Sequence, residues 1–284
     1  MPTPFMCIGA QKAGTTWLYE VLRQHNEIGL PPIKEVHYFD AVIEPRNAQR
    51  LAALSRASQR YYEAAAKRKL DPLSPKAHTL VAARPFYELI DFFSIRSDQD
   101  YLSYLERFSR GKHAYGDITP SYALLPEEEF CRIRRLLPDV RIIYIMRDPV
   151  ARTWSQIKME ASRQASRAAK LAQKRLRTPL EGPDRSDYKT TIERLQRSGI
   201  EHCRFFLFEE AFRQPRQFVE QVLEFVGVKS AFSESMRAII DQQVHKTRDL
   251  LPPPEFVSGM RQHYRPVRDF VQGLGFDVEQ FWGW

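Results

Sequence analysis

The chain has 284 residues, of which 43% are hydrophobic, 12% aromatic and 27% charged, and its 43 lysines and arginines against 35 aspartates and glutamates leave a net charge of +8. Such a composition carries enough apolar material for a sizeable core and excludes disordered, collagen-like and low-complexity chains. The positive excess invites an anionic partner, whether nucleic acid, a membrane surface, a nucleotide or an acidic substrate, and does not choose among them.

Taken in chain order, Phe5-Met6-Cys7-Ile8 reads as a buried strand ending at Gly9. Trp17, Leu18, Val21 and Leu22 then recur with helical spacing, and that helix is expected to close near Asn26 and Gly29. Residues 43–110, rich in Ala, Arg and Tyr, read as a peripheral helical insertion, and a strand is expected over 113–118. Arg141 to Met146 is an apolar run that fits a strand buried on both faces of a parallel sheet. Arg147-Asp148-Pro149 opens the helix after it, with Asp148 as N-cap. A second insertion near 156–190 contains a basic stretch, 161–178, and an exposed loop from Thr178 to Pro183. Arg204 to Phe208 is a further strand candidate. Phe256, Met260, Tyr264, Val267, Val271 and Leu274 mark a long amphipathic helix, and Phe281, Trp282 and Trp284 an aromatic tail that docks on the core.

Strands alternating with helices predict an α/β fold of three layers, a central parallel sheet flanked by helices, in one domain spanning 1–284. Cys7, Cys131 and Cys203 are far apart and form no CxxC pair, which argues against a disulfide framework or a metal site and for a reducing compartment. No signal-peptide pattern opens the chain, and no window approaches ~18 uninterrupted apolar residues. A soluble, cytoplasmic protein without a transmembrane segment is the expectation.

Two strand-to-helix boundaries carry chemistry. Gly9-Ala10-Gln11-Lys12-Ala13-Gly14-Thr15-Thr16 approaches the triphosphate loop G-x-x-x-x-G-K-[ST], but Thr15 stands where the lysine belongs and the lysine has moved inside the loop, to Lys12. Gly14 lets the backbone approach an anion, and the helix start supplies N–H donors and a favourable dipole. The bland alternative is a plain turn with a solvated Lys12. At the second boundary the strand ends in Arg147, where Mg-dependent triphosphatases place a carboxylate. Ser155, about two turns along the helix, can join Arg147 on a second phosphate, or can be an ordinary helix serine. Two phosphate sites and a relocated lysine point to 3′-phosphoadenosine 5′-phosphosulfate (PAPS).

Here the sequence resembles the sulfotransferase superfamily, with its P-loop-like fold. Ile8 to Leu18 is similar to that family's 5′-phosphosulfate loop, and Tyr144 to Ser155 to its 3′-phosphate motif. Phe206 to Val228 and Tyr264-Arg265-Pro266 with Trp284 are similar to its last strand and closing segment. The resemblance implies metal-free, in-line sulfuryl transfer from PAPS to an acceptor hydroxyl, leaving adenosine 3′,5′-bisphosphate. Lys12 would stabilise the departing oxygen, with Gln11, Ala13, Gly14, Thr15 and Thr16 around the 5′-phosphate. Arg147, Ser155 and the basic stretch Lys246-Thr247-Arg248 would hold the 3′-phosphate. Trp17 would pack on the adenine, or is a core residue of the first helix. Pro32 to Asp40 resembles the Lys-Glu-x-His-Phe-Phe-Asp stretch of the heparan-sulfate-type branch, which makes Glu35 the base. His37 is the rival base or a packing residue, and Lys34 an acceptor contact or a solvated cation. Gly116 to Tyr122 resembles a segment lining the acceptor cleft, so Ser121 and Tyr122 become acceptor contacts. Ile118 replaces a lysine common there, which weakens the case for a highly sulfated or uronate-containing acceptor, and Arg268 stands where asparagine is frequent. The acceptor expected is a hydroxyl on the sugar part of a glycan, glycolipid or secondary metabolite.

Two other classes compete. An ATP-dependent phosphotransferase would need Mg and a carboxylate at position 147. A nucleic-acid-binding protein could use 161–178, but neither aromatic-interleaved RNA motifs nor a helix-turn-helix pattern accompany that stretch. Nucleic acid is therefore not the expected partner.

Overall fold

The expected apolar run becomes β1 (Thr3–Gly9), fully buried from Phe5 onward, at the centre of a five-stranded sheet. The computed structural model describes residues 1–40, 95–161, 164–177, 184–229, 231–242 and 250–284. β1 pairs in parallel with β3 (Ala114–Ile118) on one side and β4 (Arg141–Met146) on the other. β2 (Ile28–Gly29) lies beyond β3 and β5 (His202–Leu207) beyond β4, giving the order β2-β3-β1-β4-β5 with every pairing parallel. Such interior strands have no polar face, which is why β1 and β4 read as continuous apolar runs.

The chain leaves β1 toward β2 and β3 and later returns to its other side for β4 and β5. The connections therefore reverse direction between β1 and β4, and ligands of open parallel sheets bind beyond the carboxyl ends of strands at such a point. β1 ends in the first motif and β4 in the second.

Helix α1 (Thr15–Leu22) follows β1 and stops before the expected boundary. Gly29, read as the close of that helix, belongs instead to the short strand β2. A Cβ there would lie 1.8 Å from the Phe108 carbonyl oxygen, so backbone proximity and not helix termination demands the glycine. Helix α2 (Asp98–Ser109) opens with Ser97 accepting the Asp100 N–H at 3.2 Å and buries Tyr101, Tyr104 and Leu105 against the sheet. This corrects the peripheral reading of 43–110 for its last part, because those aromatics supply a core face at helical spacing. Residues 41–94 lie outside the described residues.

A 3-10 turn over Pro120–Leu124 leads to α3 (Glu127–Leu136), and α4 (Pro149–Glu160) follows β4, capped by Asp148 as expected. The basic stretch forms α5 (Ala165–Arg177), and α6 (Tyr188–Ser198) packs Ile192 and Leu195 into the main core. β5 begins two residues earlier than expected and ends one earlier, because Phe208 begins α7 (Phe208–Arg213) instead of ending the strand. Then come α8 (Pro215–Phe225), α9 (Glu234–Asp241), the long amphipathic α10 (Pro254–Gly273) and α11 (Val278–Trp282), into which the aromatic tail folds.

Beside the main core sits a second, smaller one. Val150, Trp154, Ile157 and Ala161 of α4 and its end meet Ala168 and Ala172 of α5 and Phe256, Met260 and Tyr264 of α10. Among the described residues, no helix is long and apolar enough to cross a membrane.

Candidate active site

The loop between β1 and α1 is shaped by left-handed residues. φ is +72° at Lys12 and +79° at Gly14, the N-cap of α1. A Cβ on Gly14 would lie 2.5 Å from ring atoms of Phe212, so glycine is required by space as well as by φ. The Lys12 backbone carbonyl accepts a hydrogen bond from an Arg147 terminal nitrogen at 2.7 Å, which joins the two motifs directly. The Lys12 Nζ lies 3.7 Å from the Met159 sulfur. Burial, and then the charges of Arg147, Lys158 and Arg152, lower the Lys12 pKa, against an opposing pull from Glu35.

On the other side of the junction, the Arg147 guanidinium stacks over Phe208 at 4.4 Å from the ring centroid. Its Nε is buried and has no hydrogen-bond partner among the described residues. A buried N–H left this way is costly unless a ligand satisfies it. The Arg147-Asp148 turn is braced from outside: the Asp148 carboxylate accepts from the Trp284 indole at 3.2 Å, and Glu209 accepts from Asp148 N–H and the Trp282 indole, both at 3.1 Å. Burial pushes the Glu209 carboxyl up to about 7, against the Asp148 N–H bond. Arg268, which the sequence left uninterpreted, donates to the Trp284 carbonyl at 2.6 Å and so ties the tail to α10.

Helix α4 places Arg152, Ser155 and Met159 at i, i+3 and i+7, hence on one face. Arg152 was not anticipated from the sequence. It is 2% exposed, and its bonds go to neutral groups: Gln156 at 3.0 Å, the Thr153 hydroxyl at 3.2 Å, and the Ser186 hydroxyl. Among the described residues, none of Lys12, Arg147 and Arg152 makes an ion pair. Three cations gathered without an ion-pair partner among the described residues are an arrangement suited to a multiply charged anion. The available signal was a second arginine on the inward face of the motif helix.

The loop after β2 forms the opposite wall. Glu35 contacts the Lys34 ammonium through one oxygen and lies 3.4 Å from His37 Nε2 through the other. His37 Nδ1 is 2.8 Å from Asp40 and 3.1 Å from the Ser121 hydroxyl, which itself bonds Asp40. Burial works against charge on His37, but the hydrogen bond to Asp40 and the nearby Glu35 carboxylate outweigh it and raise the imidazole to about 9. Burial likewise works against the Glu35 carboxylate, yet His37 and Lys34 hold it down at about 2. The site therefore contains an ionised Glu35 flanked by two cations. Asp40, absent from the residues singled out beforehand, anchors this chain.

The remaining candidates divide by position. Tyr122 is completely buried and accepts the Tyr38 N–H at 3.0 Å, a bond that fixes the loop carrying Glu35. Asp117, likewise buried, accepts from Thr119 at 2.7 Å and Tyr101 at 3.3 Å beneath it. Trp17 is partly buried, donates to the Ile239 carbonyl at 3.4 Å and packs against Phe212 at 4.9 Å between centroids. Phe208 and Phe212, 4.4 Å apart, make an aromatic wall between Gly14 and Arg147 that sequence reading passed over. Gln11, Ala13, Thr15 and Thr16 surround the loop, Ala13 and Thr15 buried. Lys246, Thr247 and Arg248 lie outside the described residues.

A model of a family described as the sulfotransferase family matches residues 4–234. A solved sulfotransferase from Alicyclobacillus acidocaldarius superposes with a TM-score of 0.61 at 20% identity, covering 96% of this chain and 95% of its own. A sulfotransferase domain from the Synechococcus PCC 7002 olefin synthase gives a TM-score of 0.45 at 14% identity, over 93% of this chain and 94% of its own. No curated protein matches the chain. The first likeness establishes a shared fold.

Proposed function

The chain belongs to the sulfotransferase family, and on that premise we propose that it moves a sulfuryl group from PAPS to an acceptor hydroxyl on a sugar-containing molecule. The observation that supports this best is the bond from Arg147 to the Lys12 carbonyl, which brings both anion motifs to one place while the Arg147 Nε stays unsatisfied. A nucleotide with phosphates at two ends matches that pairing. An ATP phosphotransferase asks for a carboxylate at the end of β4, where Arg147 stands.

PAPS supplies the sulfuryl group; the chain supplies orientation and charge. The N–H groups of Gly14 to Thr16 at the start of α1 hold the 5′-phosphate, while the Ala13 N–H closes the loop onto the Ala10 carbonyl at 3.1 Å. Lys12 stabilises charge that grows on the departing oxygen, an interaction stronger in the transition state than in the ground state. Arg147 and Ser155 hold the 3′-phosphate, with Arg152 adding positive potential behind them. Phe208 and Phe212, beside Trp17, offer an apolar face for the adenine. Glu35 accepts the proton of the acceptor hydroxyl. His37 orients Glu35 and is itself set by Asp40 and Ser121.

Adenosine 3′,5′-bisphosphate should raise the melting temperature by several degrees at saturation, and ATP with Mg much less. Equal shifts, or a larger one with ATP, overturn the donor assignment. Labelled sulfate from PAPS, offered to glycans, glycolipids and phenols, then tests the transfer itself.

A further inference from the structure

β5 is the outer strand on its side of the sheet and pairs with β4 alone. Beyond that ladder, the backbone of residues 202–206 makes no main-chain hydrogen bond among the described residues. Its outer edge is therefore a row of free N–H and C=O groups. Arg204 and Phe206, two residues apart, face one side of the sheet. Helix α8 covers that side: Phe206 meets Phe218 edge-on at 4.9 Å between centroids, and the Arg204 guanidinium lies 6.0 Å from the Phe225 ring. The partners come in opposite chain order, so α8 runs antiparallel to β5. A groove opens between the two elements, and its α8 wall is Gln214, Gln217 and Gln221. Spaced i, i+3 and i+7, they form a row roughly 10 Å long at about 1.5 Å per residue. None of these amides makes a side-chain hydrogen bond among the described residues. Arg204 and Glu210 line the same groove, exposed and without an ion pair among the described residues. Glu210 stands beyond the carboxyl end of β5 and Arg204 nearer its start, so the groove carries one charge of each sign along its length.

We propose that this groove binds an extended peptide segment of a partner protein, about five residues laid antiparallel to β5, with a basic side chain at its N-terminal end and an acidic one at its C-terminal end. One edge of the peptide backbone pairs with the free groups of β5. The other edge faces the glutamine row, in which every amide offers both an acceptor and a donor. An extended chain advances about 3.3 Å per residue, so the row spans three residues and leaves one charged residue for each end. Antiparallel pairing is the more stable ladder, and it sets the N-terminal end beside Glu210 and the C-terminal end beside Arg204. Other occupants fit worse. A polyanion would be repelled by Glu210, and a membrane would have to bury the glutamine amides. A second copy of β5, paired about a two-fold axis, would bring Arg204 to Glu210 only in a register centred on Leu207, where both strands end. The proposal uses no step of sulfuryl transfer and stands or falls apart from it.

The test titrates the isotope-labelled full chain with three blocked peptides and follows amide chemical shifts. The first is acetyl-Lys-Thr-Val-Thr-Glu-amide, the second exchanges its Lys and Glu, and the third is the first with alternate backbone nitrogens methylated. The first should shift the β5 amides and the side-chain amides of Gln214, Gln217 and Gln221. The second should bind about tenfold or more weakly through like-charge contacts, and the third likewise for want of N–H donors. In the R204E/E210K variant the order of the first two peptides should invert. Gln217→Ala, a change at an exposed position, should weaken the first peptide without moving the melting temperature, and it serves should the double variant not fold. Absence of β5 shifts with the first peptide overturns the proposal. So does equal binding of the methylated peptide, or an unchanged order in the swapped variant. A parent dimer in sedimentation that the swapped variant loses gives the edge to a second copy and overturns it as well. Titration with adenosine 3′,5′-bisphosphate runs separately, and its failure condemns the donor reading while leaving the peptide result intact.

Discussion

Within the described residues, positive φ outside glycine occurs at Lys12, Glu35 and His37, and at no other position. Each such residue costs backbone energy that its surroundings must offset, and such residues gather where geometry serves function. Lys12 and Glu35 are the two residues that the sequence reading assigns to catalysis, and the loops that carry them were legible in it. Asp40 and Arg152 were not, because their roles exist only once the loop after β2 closes on Ser121 and α4 turns inward. For Glu35 the chemistry sets a clear expectation. Glu35→Gln should remove most turnover while leaving bisphosphate affinity nearly unchanged. Lys34→Ala deletes a cation that holds the Glu35 pKa down, so the acid limb of the kcat/KM profile should move to higher pH. A second expectation concerns stability. The His37 pKa is raised from its usual 6.5 to about 9, so its contribution is complete below pH 6.5 and disappears as pH climbs through 9. Melting temperatures of the parent and His37→Gln should therefore converge across that interval; a constant gap would mean that His37 is not protonated in the fold.

At the level of elements, apolar runs and motif boundaries revealed β1, β4 and α4 because buried parallel strands and capped helices write themselves plainly into sequence. β2 was missed because two residues carry no periodicity, and Gly29 has the same appearance whether it ends a helix or admits a carbonyl. Strand β5 and helix α7 share an unbroken apolar run, Phe205 to Phe208, so their border could not be read from pattern. That border matters, since the helical start at Phe208 is what brings its ring under Arg147. Gly14→Ala tests this junction. The added methyl meets Phe212 and a strained φ together, and should cost about 1–3 kcal/mol of stability. A chemical denaturation series would measure it, and bisphosphate binding should weaken in the same variant because the aromatic wall must shift.

For the molecule as a whole, composition announced an excess of positive charge but not its distribution. The anion cleft spends few cations, supplementing them with backbone N–H groups at the point where the sheet order reverses; the larger share lies outside, on one helix. The two populations meet in α4. One face of that helix, through Val150, Trp154, Ile157 and Ala161, helps build the second core, while another carries Arg152 and Ser155. A ligand that tightens the cleft face must, by the reciprocity of coupled equilibria, tighten what the other face supports. Amide hydrogen exchange should then slow in α5 and α10 when adenosine 3′,5′-bisphosphate binds, although neither helix bears a residue assigned to it. If the proposed donor binds there, occupancy of the cleft would thereby become a control on how firmly the basic helix is held.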